Sequence, residues 1–139
     1  GIAVEVMVVN PPGLRGVALY GAMSGDMAAN YYRILEFRQG LPLGPDWPVS
    51  PEEAPEVYAR LSPGNYLDYV SVPVLIHHGE LDQTVPPEWS QQLAQSLADA
   101  GKDVTLYTYP TAAHSFYDSN WTTFMTRNVE FFDRLLKHN

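Results

Sequence analysis

Three stretches of the chain carry the apolar pattern of strands, and the segments between them repeat at helical spacing. The clearest is Val72-Pro73-Val74-Leu75-Ile76-His77-His78-Gly79, an apolar run that stops at glycine and is followed by Glu80-Leu81-Asp82. A continuous run of this kind predicts a parallel strand buried on both faces. Val104 to Tyr109 predicts a second strand, with Val104, Leu106 and Thr108 on one face and Thr105, Tyr107 and Tyr109 on the other. Gly16-Val17-Ala18-Leu19-Tyr20 is a short third, ending at Gly21. Residues 2–9 alternate Ile2, Val4, Val6 and Val8 and so favour a strand by periodicity, although Ala3, Glu5 and Met7 would tolerate a helix.

Helices are expected over Met27 to Phe37, after Ser50 as N-cap before Pro51-Glu52-Glu53, and from Pro86-Pro87-Glu88 onward. A proline-rich turn region, Leu41 to Pro48, separates the first two. Trp89, Leu93 and Leu97 recur every four residues ahead of Gly101, which sits at a C-cap position. Trp121, Phe124, Met125, Phe132 and Leu135 predict the inner face of a closing helix capped by Asp118 or Ser119. Strands alternating with helices imply an α/β fold, a parallel sheet with flanking helices and right-handed crossovers.

Composition narrows the classes of function. The chain has 139 residues, 45% of them hydrophobic, and includes three Trp, nine Tyr and five Phe, enough apolar material for one domain with a core. A net charge of -8 with only eight Lys and Arg argues against a nucleic-acid or anionic-membrane partner, because both require a basic footprint. There is no apolar run approaching about 18 residues and no basic-then-apolar leader, so neither a membrane span nor an export signal is expected. The absence of Cys excludes disulfides and thiolate chemistry. His77, His78, His114 and His138 fall into no metal-binding spacing, and no cofactor or metal is expected.

The candidate chemistry lies where strands end. Open α/β sheets hold reactive groups outside the C-terminal ends of their strands. Asp82 follows the first run, and His114 follows the second in Tyr109-Pro110-Thr111-Ala112-Ala113-His114-Ser115-Phe116. The bland alternatives are a loop carboxylate capping the helix near Val85 and a turn histidine packed on Tyr109 or Phe116. His78 reads as fixing the strand end by hydrogen bonding, His77 as core or sheet surface, and His138 as a surface residue. Within residues 26–70, Tyr31, Tyr32, Phe37 and Trp47 are candidates to face a substrate, although packing explains them equally.

In order along the chain, Ser62-Pro63, the run from Val72 through Asp82 to Pro86, Ala100-Gly101-Lys102, Tyr109-Pro110 and Ala113-His114-Ser115-Phe116 resemble the C-terminal half of an α/β-hydrolase. The branch resembled includes prolyl-oligopeptidase-type (S9) catalytic domains and dienelactone-hydrolase-like esterases. The resemblance implies that residues 1–139 are the C-terminal half of one domain, with 26–70 as a helical cap insertion. It implies Asp82 as the triad acid and His114 as the triad base, with Glu80 a rival for the acid. A nucleophile elbow needs Gly-x-Ser-x-Gly, whereas Gly21-Ala22-Met23-Ser24-Gly25 places Met23 at the serine position and leaves Ser24 as a loop residue. Gly1-Ile2-Ala3 resembles the segment that follows the elbow, which implies a nucleophile upstream of Gly1 and a helix, not a strand, over residues 2–9.

The expected function is the acid-and-base portion of a serine hydrolase acting on a small-molecule carboxylic ester, partnered by an N-terminal half of the same fold that carries the nucleophile. The alternatives are an S9-type serine peptidase and a non-catalytic α/β-hydrolase-like binding module. A serine-directed phosphonate should leave the 139-residue chain unlabelled. Stoichiometric labelling mapped to Ser24 by mass spectrometry would instead place the nucleophile inside it.

Overall fold

The structure, a computed structural model, describes residues 2–39 and 49–137. Its elements in chain order are α1 (Ile2–Val9), β1 (Val17–Tyr20), α2 (Met27–Phe37), α3 (Pro55–Leu61), a 3₁₀ helix (Pro63–Tyr69), β2 (Val74–Gly79), α4 (Pro87–Asp99), β3 (Val104–Tyr109) and α5 (Asp118–Lys137). The strands form a parallel sheet in the order β1-β2-β3, with Val17 opposite Val74 and Val74 opposite Val104. The α/β class expected from the alternation is the class observed.

Burial on both faces explains the composition of β2, all six of whose residues are buried. Val74 and Ile76 point into a core shared with Val4 and Met7 of α1, Val17 and Leu19 of β1, and Leu93 and Leu97 of α4. Each such aliphatic side chain contributes about 1.5–3 kcal/mol by leaving water. On the opposite face α5 covers the sheet, with Phe131 buried and Asn128 and Phe124 meeting His77.

One choice is decided and two expectations are corrected. Residues 2–9 form α1, not the strand that alternation suggests. Val4 and Met7 are buried a helical turn apart, as the resemblance implied. Ser50 and Glu53 do exchange hydrogen bonds, Ser50 N–H to Glu53 Oε2 at 3.0 Å and Glu53 N–H to Ser50 Oγ at 3.3 Å, but they close only a turn. Pro55 has no N–H to continue a helix begun at Pro51, and α3 instead starts afresh with that proline in its first turn. In α5, Trp121 and Met125 are 49% and 41% exposed, whereas Phe124 and Leu135 turn inward as expected, joined by Arg127, Asn128 and Phe131. That stripe is partly polar because it covers polar groups. Asn128 donates to His77 Nε2 at 3.2 Å, and the Arg127 guanidinium lies 3.8 Å from the Tyr107 ring centre. The Pro-rich region 41–48, with Trp47, and the C-terminal His138 lie outside the described residues.

The strand ends are tied together at one edge. Gly21 N–H donates to His77 O at 2.9 Å, Glu80 N–H to Tyr109 O at 3.0 Å and Leu81 N–H to Ala112 O at 3.0 Å. Gly79 makes this approach feasible, because a Cβ there would fall inside contact distance of the Ala112 and Ala113 carbonyl oxygens, which are backbone and cannot rotate away. Gly79→Ala should therefore cost about 1–3 kcal/mol of stability, in the range of other overpacking substitutions. Urea unfolding checks this, and an unchanged midpoint would contradict the close approach.

Candidate active site

Asp82 leaves β2 on a turn held from several directions. Its Oδ1 accepts the N–H groups of Thr84 at 2.8 Å and Val85 at 2.9 Å. From α2, Arg33 donates through Nε to Thr84 O at 3.0 Å and through Nη2 to Gln83 O. The other carboxylate oxygen, Oδ2, accepts Nδ1–H of His114 at 2.9 Å. Asp82 is thus both the capping carboxylate of its loop and the partner of a histidine. One oxygen serves each role.

Burial alone would push the Asp82 carboxyl up. The Val85 N–H, the His114 ring and the Thr84 N–H together outweigh it and hold the group below its ordinary value. Glu80, the sequence rival, is exposed, and its backbone bonds to β3 while Asp82 takes the contact with His114.

His114 reaches this position because the loop after β3 is clamped from β1. The Tyr20 hydroxyl donates to the His114 carbonyl, and the Tyr20 ring meets Phe116 edge-on at 4.8 Å. Burial pushes the Tyr20 phenol up against the opposing effect of a backbone hydrogen bond at Phe116, so it remains a donor. Gly21 follows at a φ of +53°, a conformation that glycine adopts without strain, and a Cβ built there would lie 3.4 Å from His114 Cε1. No local pattern marks Arg33 or Tyr20. Their partners lie 50 and 94 residues away in sequence.

With Nδ1–H bound to Asp82, the second nitrogen of His114 keeps a lone pair and can accept a proton. The side chain is 42% exposed, while that of Asp82 is 1% exposed. His114 borders an open cavity of about 460 Å³ whose lining also includes Ile2, Ala3 and Val4 of α1, Gly21 and Met23 after β1, and Val85. The first turn of α1 and the imidazole therefore border the same cavity.

Other sequence candidates are placed elsewhere. Ser24 Oγ accepts Asp26 N–H at 3.1 Å, and Ser24 lines a separate cavity of about 520 Å³ with Ser62 and Trp89. Tyr31 packs on Tyr32 and Tyr58, and Phe37 lies 4.8 Å beneath the Arg33 guanidinium. Among the described residues, none of Tyr31, Tyr32 and Phe37 borders the His114 cavity. His77 is core, hydrogen-bonded to the Tyr109 hydroxyl at 2.8 Å; burial, reinforced by Arg127, holds its pKa down to about 4.

The model of the prolyl oligopeptidase family (peptidase S9) matches residues 15–139. The chain belongs to the prolyl oligopeptidase family. Among curated relatives it is 34% identical over 67 residues to the uncharacterised peptidase YtmA of Bacillus subtilis, a match spanning 48% of this chain and 26% of that protein. It is 38% identical over 64 residues to peptidase YuxL of the same organism, spanning 46% of this chain and 10% of the relative. The matches thus take in about a quarter or less of the relatives' length.

Among solved structures, a puromycin-hydrolyzing peptidase of Mycobacterium tuberculosis superposes with a TM-score of 0.77 at 21% identity, covering 96% of this chain and 20% of the other. The acylaminoacyl peptidase of Pyrococcus horikoshii gives 0.74 at 24% identity, covering 98% and 22%. At these identities the superpositions establish the α/β-hydrolase fold.

Because Asp82 is held below its ordinary value in the folded state, its contribution to stability is complete above the unfolded-state pKa of about 3.9 and is lost as pH falls through the folded value. The stability difference between this chain and its Asp82→Asn variant, measured by urea unfolding, should be largest near neutrality and shrink below about pH 4. A difference independent of pH would refute the bonding pattern at the carboxylate.

Proposed function

We propose that this chain is the acid-and-base portion of a serine hydrolase that cleaves acyl bonds, with His114 as the general base, Asp82 as its partner and the nucleophilic serine upstream of residue 1. The observation that carries this reading is the Asp82–His114 hydrogen bond, with the imidazole facing a cavity bordered by the first turn of α1. His114 would take the proton of the serine as its oxygen attacks the substrate carbonyl, then return it to the leaving group. Asp82 would hold the imidazole tautomer and stabilise the imidazolium. Water, activated by the same base, would release the acyl group.

The relatives' names support peptide-type substrates. The expected preference for small-molecule esters has no specific support among them, so amide cleavage becomes the leading reading. An acyl-enzyme formed in this way is open to simple esters as well.

The upstream half of the fold is proposed as the physical partner. Apart from Glu5, α1 is apolar: Val4 and Met7 are buried, while Ile2 and Val9 are 79% and 73% exposed. A helix of that composition is suited to burial on both sides. β1 is the outer strand of the described sheet on the same side, and its free edge offers backbone groups to a further parallel strand.

The test uses the full-length protein with aminoacyl p-nitroanilides and p-nitrophenyl esters. His114→Ala should abolish turnover, Asp82→Asn should lower kcat by about 10⁴-fold, and Glu80→Gln should have far less effect than either. Full activity in the His114 variant would remove the assignment. A wild-type protein inert toward both substrate classes would favour the non-catalytic binding module.

A further inference from the structure

The buried imidazole of His78 is hydrogen-bonded on both nitrogens, and one of its neighbours is the carboxylate of Asp82. We infer that His78, held by Ser90, is a positioning residue that fixes the Asp82 carboxylate for His114, an inference that rests on the acid–base reading above. Nε2 of His78 lies 3.0 Å from Val85 O and 3.1 Å from Asp82 Oδ2, the same oxygen that accepts from His114. Nδ1 lies 2.6 Å from Ser90 Oγ, on a fully buried serine of α4.

The charges and lone pairs admit one arrangement of a neutral ring. Two oxygen acceptors face Nε2, so that nitrogen carries the proton, donated to Val85 O with Oδ2 beside it. Nδ1 then accepts the Ser90 hydroxyl proton. The ring braces the acid in two ways. It holds the carbonyl of Val85, whose N–H binds Oδ1, and it places an N–H dipole against Oδ2. Neither carboxylate oxygen can then turn away from its partner.

A neutral donor suits this task better than a cation. A cation at that distance would pair with Asp82 and compete with the imidazolium of His114. Among the described residues, Tyr20 of β1, whose hydroxyl is bound to the His114 carbonyl, and Arg33 of α2, whose guanidinium is bound to the carbonyls of Gln83 and Thr84 and to Glu36, also face the carboxylate and its loop.

The experiment compares His78→Leu, His78→Gln and Ser90→Ala in the full-length protein. Three quantities are measured: kcat and KM on the substrates above, the pH dependence of kcat/KM, and the imidazole ¹⁵N–¹H spectra of histidine-labelled protein. In the wild type, His78 should show the Nε2–H tautomer. His78→Leu should lower kcat by about ten- to a hundred-fold with KM within about twofold, as expected of a misplaced reacting group. It should also move the His114 titration and the acid limb of the profile in the direction that Asp82→Asn moves them. His78→Gln, which keeps an N–H near the Nε2 position, should recover most of kcat, and Ser90→Ala should give a smaller shift of the same sign.

A His78 proton on Nδ1 would overturn the inference. So would a His78→Leu protein that loses thermal stability but keeps its kcat, pH profile and His114 titration, or equal losses in the Leu and Gln variants. Should His78→Leu fail to fold, the wild-type tautomer and the Ser90→Ala titration decide the matter. An inactive wild type would defeat the acid–base reading alone, since the His114 titration in the variants still reports whether His78 controls the pair.

Discussion

The constraint on which this structure depends is the burial of β2 on both faces. A parallel strand in that position has no solvent side, so any polar side chain on it must find its partners inside the protein. β2 carries two adjacent histidines, with 0% and 1% of their surface exposed, and they point in opposite directions. His77 is satisfied by Tyr109 and Asn128 beneath α5, and His78 by Ser90 and Val85 on the α4 side. An unpaired buried polar group costs about 1–3 kcal/mol. Each layer covering the sheet must therefore supply polar groups at fixed positions, and this accounts for Asn128 on α5 and Ser90 on α4.

The same demand, carried past the end of β2, builds the site. The strand ends in a glycine over which the carbonyls of Ala112 and Ala113 close, and the Tyr109 and Ala112 carbonyls accept from Glu80 and Leu81. This lacing brings together an acid and a base that stand 32 residues apart in sequence. Arg33 then fixes the acid's loop from α2, and Tyr20 fixes the base's loop from β1. The result is an ordered carboxylate with almost no access to water beside an imidazole that retains substantial access. That asymmetry suits a base whose charge rises and falls while its partner stays ionised.

The boundary on the α1 side is of a different kind. Ile2 and Val9 of α1 are exposed, and β1, like β3 at the other edge, has a neighbour on one side among the described residues. The cavity at His114 opens between these elements. Exposed apolar residues of α1 and the His114 imidazole therefore border the same region, which is why the proposed nucleophile and the proposed packing partner are assigned to one segment.

Local pattern was sufficient for the strands, for α2 and α4, and for Asp82 and His114 as residues at consecutive strand ends, because burial of a strand or a helix stripe imposes a period that the sequence must obey. It was insufficient where burial and polarity mix. Alternating valines in residues 2–9 suggested a strand, yet a helix apolar except at Glu5 satisfies the same composition. The apolar stripe from Trp121 to Leu135 included the exposed Trp121 and Met125 and missed Arg127 and Asn128, which the sheet beneath required. Ser50 and Glu53 exchange hydrogen bonds, but Pro55 limits the helix expected after Ser50 to a turn. Arg33, Tyr20 and Ser90 act on partners far along the chain or on another element, through hydrogen bonds that exist only after the helices have packed. Which residues can meet at the strand ends is thus written in the sequence. Which of them hold the carboxylate and the imidazole at bonding distance is decided by tertiary packing, because a hydrogen bond depends on separations and directions that no local period encodes.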